Sequence, residues 1–157
     1  MSRAIVRRAR SEDLDDVLLL WLGLMSEHEQ LDPRLAVADG AGEIMRDRLL
    51  QVIDSDARRL FVAAVDGDLV GYASGSVVEN TVVFRVRYLG HISDMYVAPP
   101  WRRQGIGRQL FVALRRWFRG QGLTSIELNV ATLNPVGQTF WTGLGFSSLS
   151  QRLWMSL

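Results

Sequence analysis

The chain has 157 residues, 48% hydrophobic and 22% charged, with a formal net charge of +1. This is enough for one domain with its own core, and it carries neither a disordered composition nor the charge excess of a general nucleic-acid binder. With no cysteine and only His28 and His91 as histidines, a disulfide framework, a thiolate zinc site and a covalent cysteine intermediate are excluded, and no metal is expected.

No apolar run reaches the roughly 18 residues of a membrane span. The opening MSRAIVRRARSED has no signal-peptide core. A cytoplasmic protein with neither membrane nor nucleic acid as partner is expected. Ala4 to Arg8 reads as a short strand. Ser11 is placed to N-cap a helix with Glu12 and Asp13 in its acidic first turn, and Leu14, Val17, Leu18 and Trp21 carry it to about Glu29. Leu31-Asp32-Pro33 breaks it. A second helix over about Glu43 to Ile53 offers Ile44, Leu49 and Leu50 to the core.

Arg59 to Val65 and Leu69 to Val78 read as strands joined by Asp66-Gly67-Asp68, a hairpin turn with glycine at positive φ. A third strand leads through Tyr88 to Val97 and is closed by Pro99-Pro100. From Gly105 onward Ile106, Leu110, Leu114, Trp117 and Phe118 recur at i, i+4, i+8, i+11 and i+12, one apolar helix face. Gly120-Gln121-Gly122 stops that helix. Ser125 to Val130 is then a strand, Pro135 to Thr142 a short helix, and Phe146 to Met155 a final strand. The order β-α-α-β-β-β-α-β-α-β predicts an α/β chain of the α+β kind, a mixed sheet with helices on both faces, in a single domain over residues 1–157. Leu31 to Gly42 and Val78 to Arg87 are the least defined loops.

Between the third strand and its helix lies Arg102-Arg103-Gln104-Gly105-Ile106-Gly107. Helix-start N–H groups lack intrahelical partners and sit at the positive end of the dipole, so a basic, glycine-containing turn there is suited to a phosphate or pyrophosphate. The alternative is that the glycines serve only to make the turn. A P-loop is absent, because no Gly-Lys-Ser/Thr follows, and Leu110 stands where a dinucleotide fingerprint needs its third glycine.

The block Val97-Ala98-Pro99-Pro100-Trp101-Arg102-Arg103-Gln104-Gly105-Ile106-Gly107 resembles the acetyl-CoA signature of the GCN5-related N-acetyltransferases, R/Q-x-x-G-x-G/A after a strand. A second block, Asn134 to Phe146, is similar to that family's N-x-x-A-x-x-F-Y-x-x-x-G-F segment. The resemblance is strongest over Gly90 to Phe146. It implies the GNAT fold and transfer of an acetyl group from acetyl-CoA to a primary amine by direct attack in a ternary complex. It also implies that the pantetheine arm lies between Ile92 to Val97 and Ser125 to Val130, with the main chain of Met95, Tyr96 and Val97 beside it and the Met95 N–H facing the thioester carbonyl. Arg102, Arg103, Gln104, Gly105, Ile106, Gly107 and Arg108 would cradle the pyrophosphate, and Asn134 would contact the cofactor or simply cap its helix.

His91 aligns with the position where histone acetyltransferases of the family carry a glutamate and the arylalkylamine enzyme a histidine, so it is the candidate general base. Asp94 and Tyr96, read as lying on the opposite strand face, are the runners-up. Glu127 shares the face of Asn129, which stands where N-terminal acetyltransferases often use a glutamate. Glu27, His28 and Glu29 are either acceptor contacts or a solvated helix end. At the position of the family's tyrosine acid stands Trp141, whose indole N–H cannot protonate a thiolate. The rival readings are a different acyl-CoA donor and a CoA-binding regulator without catalysis. A nucleic-acid-binding module is a third rival that rests on the arginine clusters alone: Arg7, Arg8 and Arg10, then Arg102, Arg103 and Arg108, then Arg115, Arg116 and Arg119. The acceptor is a small-molecule or peptide amine, and a homodimer is common among relatives.

Overall fold

The computed structural model describes residues 3–157; the first two positions of the expected 1–157 domain lie outside it. Five strands form one sheet in the order β1 (Ile5–Arg8), β2 (Arg58–Val65), β3 (Asp68–Glu79), β4 (Tyr88–Val97) and β5 (Ile126–Leu128). The first three pairings are antiparallel and the last, β4 with β5, is parallel. The turn between β2 and β3 has Asp66 at φ 52° and Gly67 at 96°, the two positive values that a tight hairpin with right-handed strand twist requires.

Helices cover both faces. On one, α1 (Leu14–Leu31) and α2 (Ala41–Ile53) bury Val17, Trp21, Leu24 and Leu49 against Leu60, Val62, Tyr72 and Tyr96. On the other, α3 (Ile106–Gly120) seats Ile106, Leu110, Phe111, Leu114 and Phe118 on Val65, Val70, Ala73 and Ile92. A short helix, α4 (Pro135–Gly143), follows β5 and packs Trp141 on the α3 cluster. The mixed sheet and its two helical layers therefore agree with the expected architecture, and the order agrees as far as α4.

Four local expectations fail for physical reasons. Ser11 does not cap α1: a 3-10 turn over Ser11–Asp13 precedes the helix. The buried Asp13 carboxylate takes the Arg10 N–H at 2.7 Å and both Arg7 Nη atoms at 2.7 and 2.8 Å. In α2 only Leu49 of the three expected core residues is buried, while Ile44 and Leu50 face solvent, because one helix face is all that β2 and α1 can cover. The strand expected over Ser125 to Val130 pairs only through Leu128. The final strand expected over Phe146 to Met155 is absent: residues 146–157 carry no regular structure.

Candidate active site

The site is built where β4 leaves β5. Their ladder runs Gly90↔Ile126, His91↔Glu127 and Ile92↔Leu128 and then ends, although β4 stays paired with β3 as far as Val97. The Ala98 N–H donates to the Val70 carbonyl at 2.8 Å across β3. The Val97 carbonyl, on the same trans peptide plane, therefore points away from β3, and by strand alternation so do the N–H and C=O of Met95. That edge of β4 has no partner strand. The backbone of Met95 and Val97 accordingly lies where an extended ligand can add to the sheet, whereas the Tyr96 backbone faces β3.

At the end of β4 the chain makes a 3-10 turn over Pro99–Trp101 and enters α3 through two left-handed residues, Arg103 at φ 64° and Gly105 at 81°. The first intrahelical bond runs from Gln109 N–H to Gly105 O at 3.1 Å. The N–H groups of Ile106, Gly107 and Arg108 are thus left to the solvent side of the helix start. Nothing lies within 4 Å of a side-chain carbon placed on Gly105, so the approach to these donors is open. Gly107 has a different reason to be glycine: a Cβ there would sit 3.2 Å from the Phe140 ring of α4. Arg103 and Arg108 are exposed and free of ion pairs among the described residues, and Gln104 Nε2 donates back to Pro100 O at 3.2 Å. Ile106 contributes only its backbone, because its side chain is buried.

Arg102 is turned elsewhere. Its Nε donates to Val97 O at 2.7 Å and its Nη2 to Glu27 Oε1 of α1 at 2.7 Å, with its guanidinium 5.2 Å from the centre of the Tyr96 ring. The Tyr96 hydroxyl donates to the same Glu27 oxygen at 3.2 Å. Burial, with the Glu27 charge next, raises the Tyr96 phenol above its usual range. Glu27 thus ties the turn into α3 to α1. It is not part of a solvated helix end.

On the α1 face of the sheet, His91 Nδ1 lies 3.2 Å from Glu127 Oε1, on a rung just before the strands part. The register of β3 against β4 shifts between Ser74 and Gly75, leaving Ser93 as an extra residue. That bulge reverses the alternation, so Asp94 stands on the same face as His91 and Tyr96. The expectation of opposite faces is corrected by this one residue. Asp94 makes no hydrogen bond among the described residues, and burial pushes its carboxyl up to about 6, with the charge of His91 opposing. Beside it the Tyr72 hydroxyl is buried without a partner, its phenol raised well above the usual range by burial and then by Asp94. His28, half-buried on α1, is lowered by burial against the pull of Glu27.

Asn134 caps α4, its Oδ1 accepting from Gly137 N–H at 2.9 Å, with Pro135 at the first helical position. Trp141 meets Phe111 at 6.2 Å and Phe146 at 5.4 Å between ring centres, both edge-on. It belongs to the packing of α4 on α3. No cluster of three or more His, Cys, Asp or Glu gathers to hold a metal among the described residues, and no helix is long and apolar enough to cross a membrane.

Residues 23–146 match the model of the acetyltransferase (GNAT) family. An aminoglycoside N(6')-acetyltransferase type 1 of Salmonella typhimurium is 25% identical over 104 residues, 61% of this chain and 67% of that one. Among solved structures, a mutant of the BH1408 protein of Bacillus halodurans superposes with a TM-score of 0.88 at 21% identity over 98% of this chain and 99% of that chain. Aminoglycoside acetyltransferase AAC(6')-Iy in complex with the bisubstrate analog CoA-S-monomethyl-acetylneamine superposes at 0.77, 21% identical, over 99% of both chains.

Proposed function

Because the chain belongs to the GNAT family of acetyltransferases, we propose that it moves an acetyl group from acetyl-CoA to a primary amine of a cationic small molecule, of the aminoglycoside class that relatives are named for. The observation that carries this reading is the parting of β4 from β5 after Ile92↔Leu128. It opens a backbone edge that leads directly to the unpaired N–H groups at the start of α3. Bound there, acetyl-CoA supplies an activated thioester acyl group.

The residues fit that group. The N–H groups of Ile106, Gly107 and Arg108, with Arg103 and Arg108 beside them, would hold the pyrophosphate. The free Met95 and Val97 edge would hold the pantetheine amides, with the Val97 carbonyl already satisfied by Arg102. The Met95 N–H is positioned to donate to a carbonyl oxygen along the edge, where an oriented donor stabilises developing negative charge. Asn134 acts here as the cap of α4, which keeps Phe140 on Gly107.

The amine must lose a proton before it attacks, since alkyl ammonium groups titrate at about 10.4. His91 takes this proton, and Glu127 fixes its ring as the orienting partner of the base. A second reading gives the base to Asp94, favoured by its carboxyl standing at about 6. Glu127 and Asp94 put acidic groups beside the fork, which suits a cationic acceptor such as those named for the relatives. In this reading both ligands meet at the fork and the amine attacks the thioester directly in a ternary complex.

The test is thiol release from acetyl-CoA against a panel of aminoglycosides, polyamines and a lysine peptide. Release with an aminoglycoside, lowered about 10²-fold by His91→Ala, supports the reading. Tight acetyl-CoA binding without release to any amine would favour a regulator instead. Absence of binding would reduce the turn to a structural feature.

A further inference from the structure

On the reading that acetyl-CoA lies along the β4 edge and ends at the start of α3, we propose that Glu27 of α1 is a positioning residue for it. Glu27 holds Arg102 as a brace that sets the two halves of the cofactor site relative to each other.

The halves are separate pieces of chain: the free edge of Met95 and Val97, and the N–H groups of Ile106, Gly107 and Arg108. Residues 98–105 join them through the 3-10 turn Pro99–Trp101 and two left-handed residues, one of which, Arg103 at φ 64°, is not glycine. A backbone of that kind persists where its surroundings over-determine it. Most of its polar bonds stay inside the segment: Trp101 N–H on Ala98 O at 2.9 Å, Arg102 N–H on Pro99 O at 3.2 Å and Gln104 Nε2 on Pro100 O at 3.2 Å. They shape the turn without fixing it to the strand. The bond from Arg102 Nε back to Val97 O at 2.7 Å does fix it. Since the Ala98 N–H is held by Val70 O at 2.8 Å, the last peptide of the edge is pinned at both ends.

An arginine side chain in an exposed turn has many rotamers, and a brace must keep one. Glu27 supplies the restraint. Its Oε1 takes Arg102 Nη2 at 2.7 Å and the Tyr96 hydroxyl at 3.2 Å, while the guanidinium lies 5.2 Å from the centre of the Tyr96 ring. The helix is built for this contact. Gly23 stands one turn before Glu27, and a Cβ there would be 2.9 Å from the Tyr96 hydroxyl oxygen. Trp21 and Leu24, buried in the same cluster as Tyr96, fix α1 on the sheet. Arg103 and Arg108, with no carboxylate partner among the described residues, are left to the phosphates. Glu27 therefore decides which arginine of the turn braces and which ones bind.

Calorimetry of the full-length parent, Glu27→Ala, Arg102→Met and the double variant tests this. Each is titrated with acetyl-CoA and with ADP, a probe that reaches the cradle without a pantetheine arm. Each single variant is expected to bind acetyl-CoA about tenfold or more weakly, the scale of one charge-assisted hydrogen bond. The double variant should bind no more weakly than Arg102→Met alone, because Glu27 acts through Arg102. ADP should bind Glu27→Ala as well as the parent or better, since a carboxylate has gone from beside an anion site. In thiol release the KM for acetyl-CoA should rise with that of the amine unchanged.

Additive losses in the double variant, or acetyl-CoA affinity unchanged or improved in Glu27→Ala, would overturn the proposal. So would ADP weakened in parallel with acetyl-CoA, or a loss confined to the KM of the amine. Glu27→Gln keeps the size of the side chain and one acceptor oxygen; it repeats the cycle, with smaller losses in the same pattern, where the alanine variant melts below the parent. A parent that does not bind acetyl-CoA at all would instead remove the cofactor reading on which the role of Glu27 depends.

Discussion

Asp94→Asn should make the protein more stable and less active, and the structure sets the size of the first effect. The carboxyl is raised from 3.8 to about 6, chiefly by burial. An acid whose folded value exceeds its unfolded value holds its proton more tightly in the folded state. Its stabilising share is therefore present below the unfolded value and is lost as pH rises through the folded one. The shift corresponds to about 3 kcal/mol at most, and because Asp94 keeps partial access to water the expected cost is about 1–3 kcal/mol near neutral pH. Asparagine carries no charge and escapes that cost. Thermal melts should then show Asp94→Asn matching the parent below about pH 4 and exceeding it by roughly 3–8 °C above about pH 6. Thiol release should fall about tenfold or more, since a carboxylate retained at a cost to the fold is a group kept for use. Lower stability near neutral pH would refute the burial argument. A stability gain with unchanged turnover would remove Asp94 from the site.

Three further outcomes follow from the geometry. Gly105→Ala meets no atom within 4 Å but must adopt φ 81°, so it should cost about 1–2 kcal/mol and weaken acetyl-CoA binding measured by calorimetry; unchanged affinity in a folded variant would move the cradle elsewhere. Trp141→Ala should lower stability by about 3 kcal/mol through lost edge contacts with Phe111 and Phe146, whereas Trp141→Tyr should keep both fold and turnover; melting curves and thiol release separate them. Asp13 is held below the ordinary carboxylate range by the Arg7 hydrogen bonds, against burial. Its share of stability is present above the unfolded value of about 3.9 and lost as pH falls through the lowered one, so Asp13→Asn should cost about 2 kcal/mol near neutral pH and little in strong acid, read by denaturant titration across pH.

What was legible in the sequence was contiguous. The turn from Arg102 to Gly107 could be read because strand end, prolines, glycines and helix start lie within a dozen residues. The apolar face of α3 could be read because its period is local. The role of Arg102 could not, because Glu27, its partner, lies 75 positions away on α1. An arginine in a basic turn has the same one-letter pattern whether it meets phosphate or carboxylate. Likewise the α2 pattern offered Ile44 and Leu50 as readily as Leu49, whereas the face that meets the core is Ala41, Met45, Leu49, Val52 and Ile53, since which face is covered depends on the neighbouring elements rather than on the helix.

The bulge at Ser93 shows the other limit, and it alters the chemistry. Nothing in Ile92-Ser93-Asp94 departs from strand composition, so alternation assigns Asp94 to the face away from His91. One extra residue against Ser74/Gly75 reverses that assignment. It gathers His91, Asp94 and, from the adjoining β5, Glu127 on the α1 side of the fork. The same change of parity turns the Met95 and Val97 backbone toward the side where β5 has departed. A single inserted residue therefore sets both halves of the site, the titratable groups on one face and the free peptide edge between the strands. Bulges recur where a strand must re-aim side chains, and deleting Ser93 should accordingly cost more activity than any single side chain of the fork.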